Sequence, residues 1–215
     1  MKFLDERIIA LRNEMRENNR PVQEEAEVTL NESQQELDIY QPFVEIAGEE
    51  IQIIDQSILD GKVTLRMPEI FTIMLPELAS LKYPSERRPN LIYTDESSTI
   101  NLAFNMTTHS VTEMEIAEFQ ENMADVLEQA QPTAEWLDND SKEIDGKNIG
   151  FFEIITPALD GDIYNLMFFA SIDGKALIGT FNCMEEDVEE WRPVAQAMMD
   201  TLKFVRNDIN GGANL

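Results

Sequence analysis

Residues 145–183 read DGKNIGFFEIITPALDGDIYNLMFFASIDGKALIGTFNC and contain three Asp-Gly pairs: Asp145-Gly146, Asp160-Gly161 and Asp173-Gly174. Asp-Gly supplies the positive φ angles of a type I′ turn, the reversal that matches the right-handed twist of two antiparallel strands. Between the pairs lie β-branched and aromatic runs, and Tyr164, Leu166, Phe168, Ala170 and Ile172 alternate with other residues at the strand period of two. The spacing predicts a four-strand antiparallel meander from about Glu135 to Cys183. A fourth pair, Asp60-Gly61, predicts a further reversal before the alternating run Val63, Leu65, Met67.

Working outward, Thr112 and Glu115 form the S/T-x-x-E capping box, and Val111 and Ile116 occupy the positions of a hydrophobic staple. They open a predicted helix to about Gln131, with Ile116, Phe119, Met123, Val126 and Ala130 as its apolar stripe and Pro132 as its stop. Upstream, Ile51–Ile54, Lys62–Met67 and Phe71–Leu75 are expected as strands. A short helix is expected over Pro76–Leu81, with proline in its first turn. Asn90–Thr94 and Thr99–Thr107 are expected as a hairpin, with Ile100, Leu102, Phe104 and Met106 facing one way and Asn101, Ala103 and Asn105 the other. A closing helix is expected from Glu186 to Leu202, presenting Val188, Trp191, Ala195, Met198 and Leu202. Pro193 lacks the N–H a helix interior uses, so a separate turn before it or a kink at it is expected.

Residues 2–19 form an amphipathic pattern in which Leu4, Ile8, Leu11 and Met15 share one stripe. Asn18-Asn19-Arg20-Pro21 ends it, and a Glu- and Gln-rich linker follows. The expected organisation is an N-terminal helix and acidic linker over 1–42, an α+β domain over 43–206, and a frayed tail over 207–215. In that domain a largely antiparallel sheet carries helices packed on its faces.

Sixteen Lys and Arg face 42 Asp and Glu, a formal charge of −26. Such a field repels phosphate backbones and anionic lipid surfaces, which reads against nucleic-acid binding and a polybasic anchor. It draws in a basic protein partner. It also fits an acidic surface that only keeps a protein soluble. Acids within the first seven residues and no apolar h-region read against a secretory leader, and no run is long enough for a membrane span. The expected compartment is a bacterial-type cytoplasm.

Tools for bond-making chemistry are sparse. His109 is the one histidine, in Thr107-Thr-His-Ser110, with no Ser, Cys or Asp motif converging on it. Cys183, the one cysteine, reads as a small buried hydrophobe at a strand end. One His and one Cys remove the familiar zinc patterns. Asp138-Asn-Asp140 opens like a calcium loop, but Glu143 and Ile149 stand where glycine and the bidentate carboxylate belong. No nucleotide-binding glycine loop occurs. No enzyme activity, cofactor or metal is expected.

Two interaction candidates stand out. Glu118, Glu121, Asp125 and Glu128 recur at three, four and three, an acidic stripe opposite the core face of the long helix. It suits docking of a basic partner and equally a solvated face. The stripe of Leu4, Ile8, Leu11 and Met15 suits packing in cis, dimerisation or a partner's groove. Nothing in the sequence sets the oligomeric state.

The element order resembles the PsbP-like superfamily, which includes DcrB-like proteins and Eag-type secretion chaperones. Three stretches carry the resemblance. Lys62-Val-Thr-Leu-Arg-Met-Pro-Glu-Ile-Phe-Thr-Ile73 resembles the opening strand pair, with its proline near the bend. Thr99-Ile-Asn-Leu-Ala-Phe-Asn-Met106 resembles the second hairpin leading into the capped helix. Gly150-Phe-Phe-Glu153 through Thr201-Leu-Lys-Phe204 resembles the closing meander and helix. The resemblance implies a PsbP-like α+β fold and a non-enzymatic module that holds another protein, such as a chaperone or adaptor for a secreted or basic protein. The rival expectation is a small apolar ligand or lipid held between sheet and helices. A third, an unfamiliar hydrolase, needs a perturbed pair of carboxylates in a cleft.

Overall fold

The computed structural model describes residues 37–85, 88–159 and 161–205, which belong to one compact unit spanning residues 36–215. Eleven strands and three α-helices follow one another along these residues: β1 (Phe43–Ile46), β2 (Glu49–Ile58), β3 (Val63–Pro68), β4 (Thr72–Ile73), α1 (Pro76–Lys82), β5 (Leu91–Thr94), β6 (Asn101–Ser110), α2 (Ile116–Ala130), β7 (Glu135–Ile144), β8 (Lys147–Thr156), β9 (Ile163–Ile172), β10 (Lys175–Met184), α3 (Val188–Asp200) and β11 (Lys203–Phe204). Every pairing is antiparallel. The fold class is α+β.

The meander stands where the Asp-Gly pairs placed it, as β7 to β10. Two of its turns are tight. Asp145 and Gly146 have φ of +50° and +73°, and Asp173 and Gly174 have +51° and +74°, the left-handed pair a type I′ reversal needs. Gly161 instead falls in the connection between Thr156 and Ile163, because Pro157 ends the ladder first, and Asp160 lies outside the described residues. Asp60-Gly61 lies in a four-residue connection where Leu59, Asp60 and Gly61 all have positive φ.

The single expected sheet is split in two. One has four strands in the order β1-β2-β3-β11, the other seven in the order β4-β5-β6-β10-β9-β8-β7. Pro68 explains the division. It ends β3, its carbonyl accepts the N–H of Phe71 at 3.2 Å, and the chain leaves the small sheet there to enter the large one at Thr72.

The main core lies between one face of the large sheet, the small sheet and α3. It is filled by Leu65 and Met67 of β3, Phe104 of β6, Phe168 of β9, Phe181 of β10 and Trp191 of α3. Packing begins upstream of Phe43, since Ile39 is only 3% exposed within this core. The other face of the large sheet carries α2 over Phe152, Ile154 and Phe169, and α1 over Ile92 and Ala103.

One position of the α2 stripe needs adjustment. Val126 is 59% exposed, and Ala124 and Leu127 pack against the sheet instead. At 3.6 residues per turn, Leu127 returns over Ile116 and Val126 does not. Of the two alternatives at Pro193 the structure has the separate turn, at Glu185–Asp187, and Pro193 itself lies within a continuous α3, on its solvent side. On the other face of β6 Ala103 is buried beneath α1, and Asn101 is buried as well.

Candidate protein-binding surfaces

Four carboxylates of α2 face outward because the helix is held from below. Gln120 is buried, and its Nε2 donates to the Asn139 side-chain oxygen at 2.6 Å, the Phe151 carbonyl at 2.9 Å and the Asp140 carbonyl at 3.1 Å. Gly150 makes room for this seat, since a Cβ there would collide with the Gln120 amide. On the other flank Phe119 packs edge-on against Phe169, with centroids 5.6 Å apart. The capping box forms as expected: the Glu115 carboxylate accepts the Thr112 N–H at 2.8 Å and its hydroxyl at 2.7 Å. With Gln120 turned inward, Glu118, Glu121, Asp125 and Glu128 are all exposed.

β7, to which Gln120 ties α2, carries acids as well, but the register sets Glu135, Asp138 and Asp140 on the sheet face turned to α3 and only Glu143 on the α2 side. β7 is the end strand of the large sheet, and its Glu135, Asp138, Asp140 and Glu143 are exposed. Lys142 is engaged by Asp200 and lies over the Phe151 ring at 5.1 Å. The other candidates from sequence, Leu4, Ile8, Leu11 and Met15, lie outside the described residues.

The opposite end of the sheet is apolar. Ile73 of β4 is 64% exposed, Leu75 before α1 is 68% exposed and Leu81 within it is 80% exposed. The seven-residue α1 buries none of its residues, so it offers these side chains outward and shields the sheet only thinly.

A buried charge cluster escaped the sequence reading. Glu153 is fully buried on β8, where its Oε2 accepts from the Tyr164 hydroxyl at 2.9 Å and Arg192 Nε at 2.5 Å, while Oε1 accepts from Gln196 Nε2 at 2.5 Å. The signal was a lone acid inside Phe151-Phe-Glu-Ile-Ile155, a run otherwise apolar. Arg192 and Gln196 lie one turn apart on α3, so the carboxylate pins that helix to the sheet. Burial, reinforced by the Glu153 carboxylate, pushes the Tyr164 phenol well above its ordinary range. Burial also pushes the Cys183 thiol up to about 12, aided by Asp187 and Glu190, the state of an inert core thiol. Partial burial raises Asp187, with Glu186, Glu190 and Asp95 adding to it. Exposed His109 lies near the end of β6. Among the described residues no group of three or more His, Cys, Asp and Glu side chains could hold a metal ion.

Among the described residues, aromatic rings pack between the large sheet and α3. Phe104 meets Phe168 at 6.2 Å, and Phe181 stacks on Trp191 at 6.2 Å, between the large sheet and α3. Two clefts open at the surface instead. One of about 280 Å³ lies among Lys62, Asp145, Lys147, Asp173 and Phe204, and one of about 380 Å³ among Leu37, Ile39, Tyr40, Ala197 and Asp200. Among the described residues no helix is long and apolar enough to cross a membrane.

No protein-family model and no curated protein matches this sequence. Solved structures do match in shape. The cyanobacterial PsbP of Synechocystis sp. PCC 6803, CyanoP, superposes with a TM-score of 0.53 at 11% identity, over 71% of this chain and 92% of that one. The chain has the PsbP-like fold. LpqN of Mycobacterium tuberculosis, described as involved in cell envelope biogenesis, is similar at a TM-score of 0.50 and 11% identity, over 77% of this chain and 100% of that one. At such identities the likeness is one of fold.

Proposed function

We propose that this chain is a non-catalytic protein-binding module, a cytoplasmic chaperone or adaptor for a basic or secreted protein. One observation carries the reading: Glu118, Glu121, Asp125 and Glu128 stand exposed on one side of a helix held in place by Gln120. Rigid carboxylates on one surface speed the approach of a basic partner and orient it, the more so when the whole chain bears −26. The PsbP-like resemblance points the same way.

The test is capture of a partner from native lysate at low salt, followed by kinetics on the captured protein. A basic partner should be retained, and elute as salt rises to about 0.5 M, where screening shortens to a few ångströms. Changing the four acids together to Gln should slow association by about tenfold or more, with the fold intact by circular dichroism. Capture of the same partner, at the same rate, by the Gln variant would defeat the proposal.

A further inference from the structure

β7 is a ten-residue end strand, and among the described residues no strand pairs with its outer side. Gln120 reveals which way its backbone groups point. One amide nitrogen reaches the carbonyls of both Asp140, at 3.1 Å, and Phe151, at 2.9 Å, so these residues face each other across the β7–β8 gap. Successive residues of a strand turn their backbone groups to opposite sides, so Asn139 and Ser141 turn theirs to the open side. There each N–H donates to the carboxylate of the residue before it, Asn139 to Asp138 Oδ1 at 2.8 Å and Ser141 to Asp140 Oδ1 at 2.7 Å. The two acids hold the hydrogen bonds that an added strand would take.

We propose that this edge admits a basic extended segment of a partner protein, which joins the sheet beside β7 with lysine or arginine at every second position. Charge selects that occupant and refuses a second copy of this chain. Two chains of −26 repel, and the acids of one β7 would meet those of the other. A basic strand reverses both effects. Its carbonyls accept the N–H groups of Asn139 and Ser141, while its cations take over the carboxylates that release them. Register fixes the spacing. Asp138 and Asp140 lie two apart on one face, opposite Glu153 and Phe151 of β8, and Lys142, next in that row, is already engaged by Asp200. On the other face Asn139 and Ser141 are exposed and uncharged, so the alternate side chains of the added segment need no charge.

This deepens the reading of a module for a basic protein and rests on it for the sign of the partner's charge. The two surfaces fail separately, because Asp138 and Asp140 lie on the sheet face turned to α3 and the α2 carboxylates stand over the opposite face.

The experiment titrates the full 215-residue chain with labelled ten-residue peptides at about 0.15 M salt, where exposed charges more than about 8 Å apart are largely screened. One peptide alternates lysine and threonine; the other has the same composition as a lysine block followed by a threonine block. The alternating peptide should bind about tenfold or more tighter than the block peptide, and should slow hydrogen exchange at the Asn139 and Ser141 amides. Ser141→Pro removes one outward N–H without changing the charge, at an edge position that tolerates proline, and should weaken that binding by about tenfold or more. Asp138→Asn with Asp140→Asn keeps an acceptor beside each N–H but removes both charges, and should weaken it by about fivefold or more. The Gln variant of the four α2 acids should stay within about threefold of wild type. Circular dichroism checks the fold of each variant. No binding of the alternating peptide up to about 1 mM overturns the proposal. So do equal affinities for the two peptides, unchanged exchange at those amides, binding that Ser141→Pro and the Asn pair both leave intact, or a loss confined to the α2 variant.

Discussion

The two ends of the seven-stranded sheet are built on opposite plans. β7 is ten residues long, its neighbour strands are clamped by α2 through Gln120 and by α3 through Glu153, and its outward side chains are mostly acids. β4 is two residues long, none of the residues of its covering helix α1 is fully buried, and the large apolar side chains Ile73, Leu75 and Leu81 stand exposed there. The difference teaches how one sheet can divide labour. A charged surface directs a partner only if its carboxylates stand still, so it belongs where buried hydrogen bonds fix the helices. An apolar surface works by losing water, which does not need that rigidity.

The sharpest way to break this comparison is Glu153→Ala. The change leaves Arg192, Gln196 and the Tyr164 hydroxyl beneath α3 without their shared acceptor, and breaking one side of a buried pair costs about 3–5 kcal/mol. Arg192 is 37% exposed and can turn to water, which places the expected loss toward the lower figure. Urea unfolding should show it as a fall in midpoint with unchanged slope. A loss under about 1 kcal/mol would mean that ring packing alone holds α3, and the buttress at the β7 end would be the wrong account.

A smaller effect tests the other clamp. Thr112→Ala removes the hydroxyl that Glu115 grips at the 3-10 turn Glu113–Glu115 leading into α2, and loss of an N-cap costs about 1 kcal/mol. The Thr112 hydroxyl, then its N–H, hold the Glu115 carboxyl below the ordinary carboxylate range in the folded protein. A group with a lowered folded pKa contributes stability that is present above its unfolded pKa and lost as pH falls through its folded one. The penalty of Thr112→Ala should therefore be full at pH 7 and shrink below about pH 4. Thermal melts of both proteins across that range decide it; a penalty independent of pH would remove the carboxylate from the cap.

Local rules made much of the β7 end legible in the sequence. Asp145-Gly146 and Asp173-Gly174 require positive φ whatever surrounds them, and a threonine three residues before a glutamate caps a helix by itself. The acidic stripe of α2 followed from spacing alone. What stayed hidden depends on distant partners. The donors to Glu153 lie 39 and 43 residues away on α3, and no local pattern announces them. The reversal between β1 and β2 uses Ala47-Gly48, and alanine at φ +52° is not a residue that signals a turn. The split at Pro68 depends on which strands find each other across the chain. The exposed leucines of α1 were concealed for a related reason: periodicity says which residues share a face, and only the neighbours decide whether that face is covered.

The least disruptive change is the one that isolates the β4 end. Leu75→Ser trims a side chain already 68% exposed, at a position whose backbone carbonyl caps into α1 through the Ala79 N–H at 2.9 Å. Serine keeps that bond and adds a hydroxyl suited to the residue before a helix, where leucine offers no cap. Little burial is lost and a cap is gained, so the stability of the monomer should stay within about 0.5 kcal/mol of wild type, as for other surface positions. Denaturant unfolding at low protein concentration measures it. A loss as large as the one expected at Glu153 would show that Leu75 supports its own fold, and the contrast between a buttressed end and an uncovered one would fail.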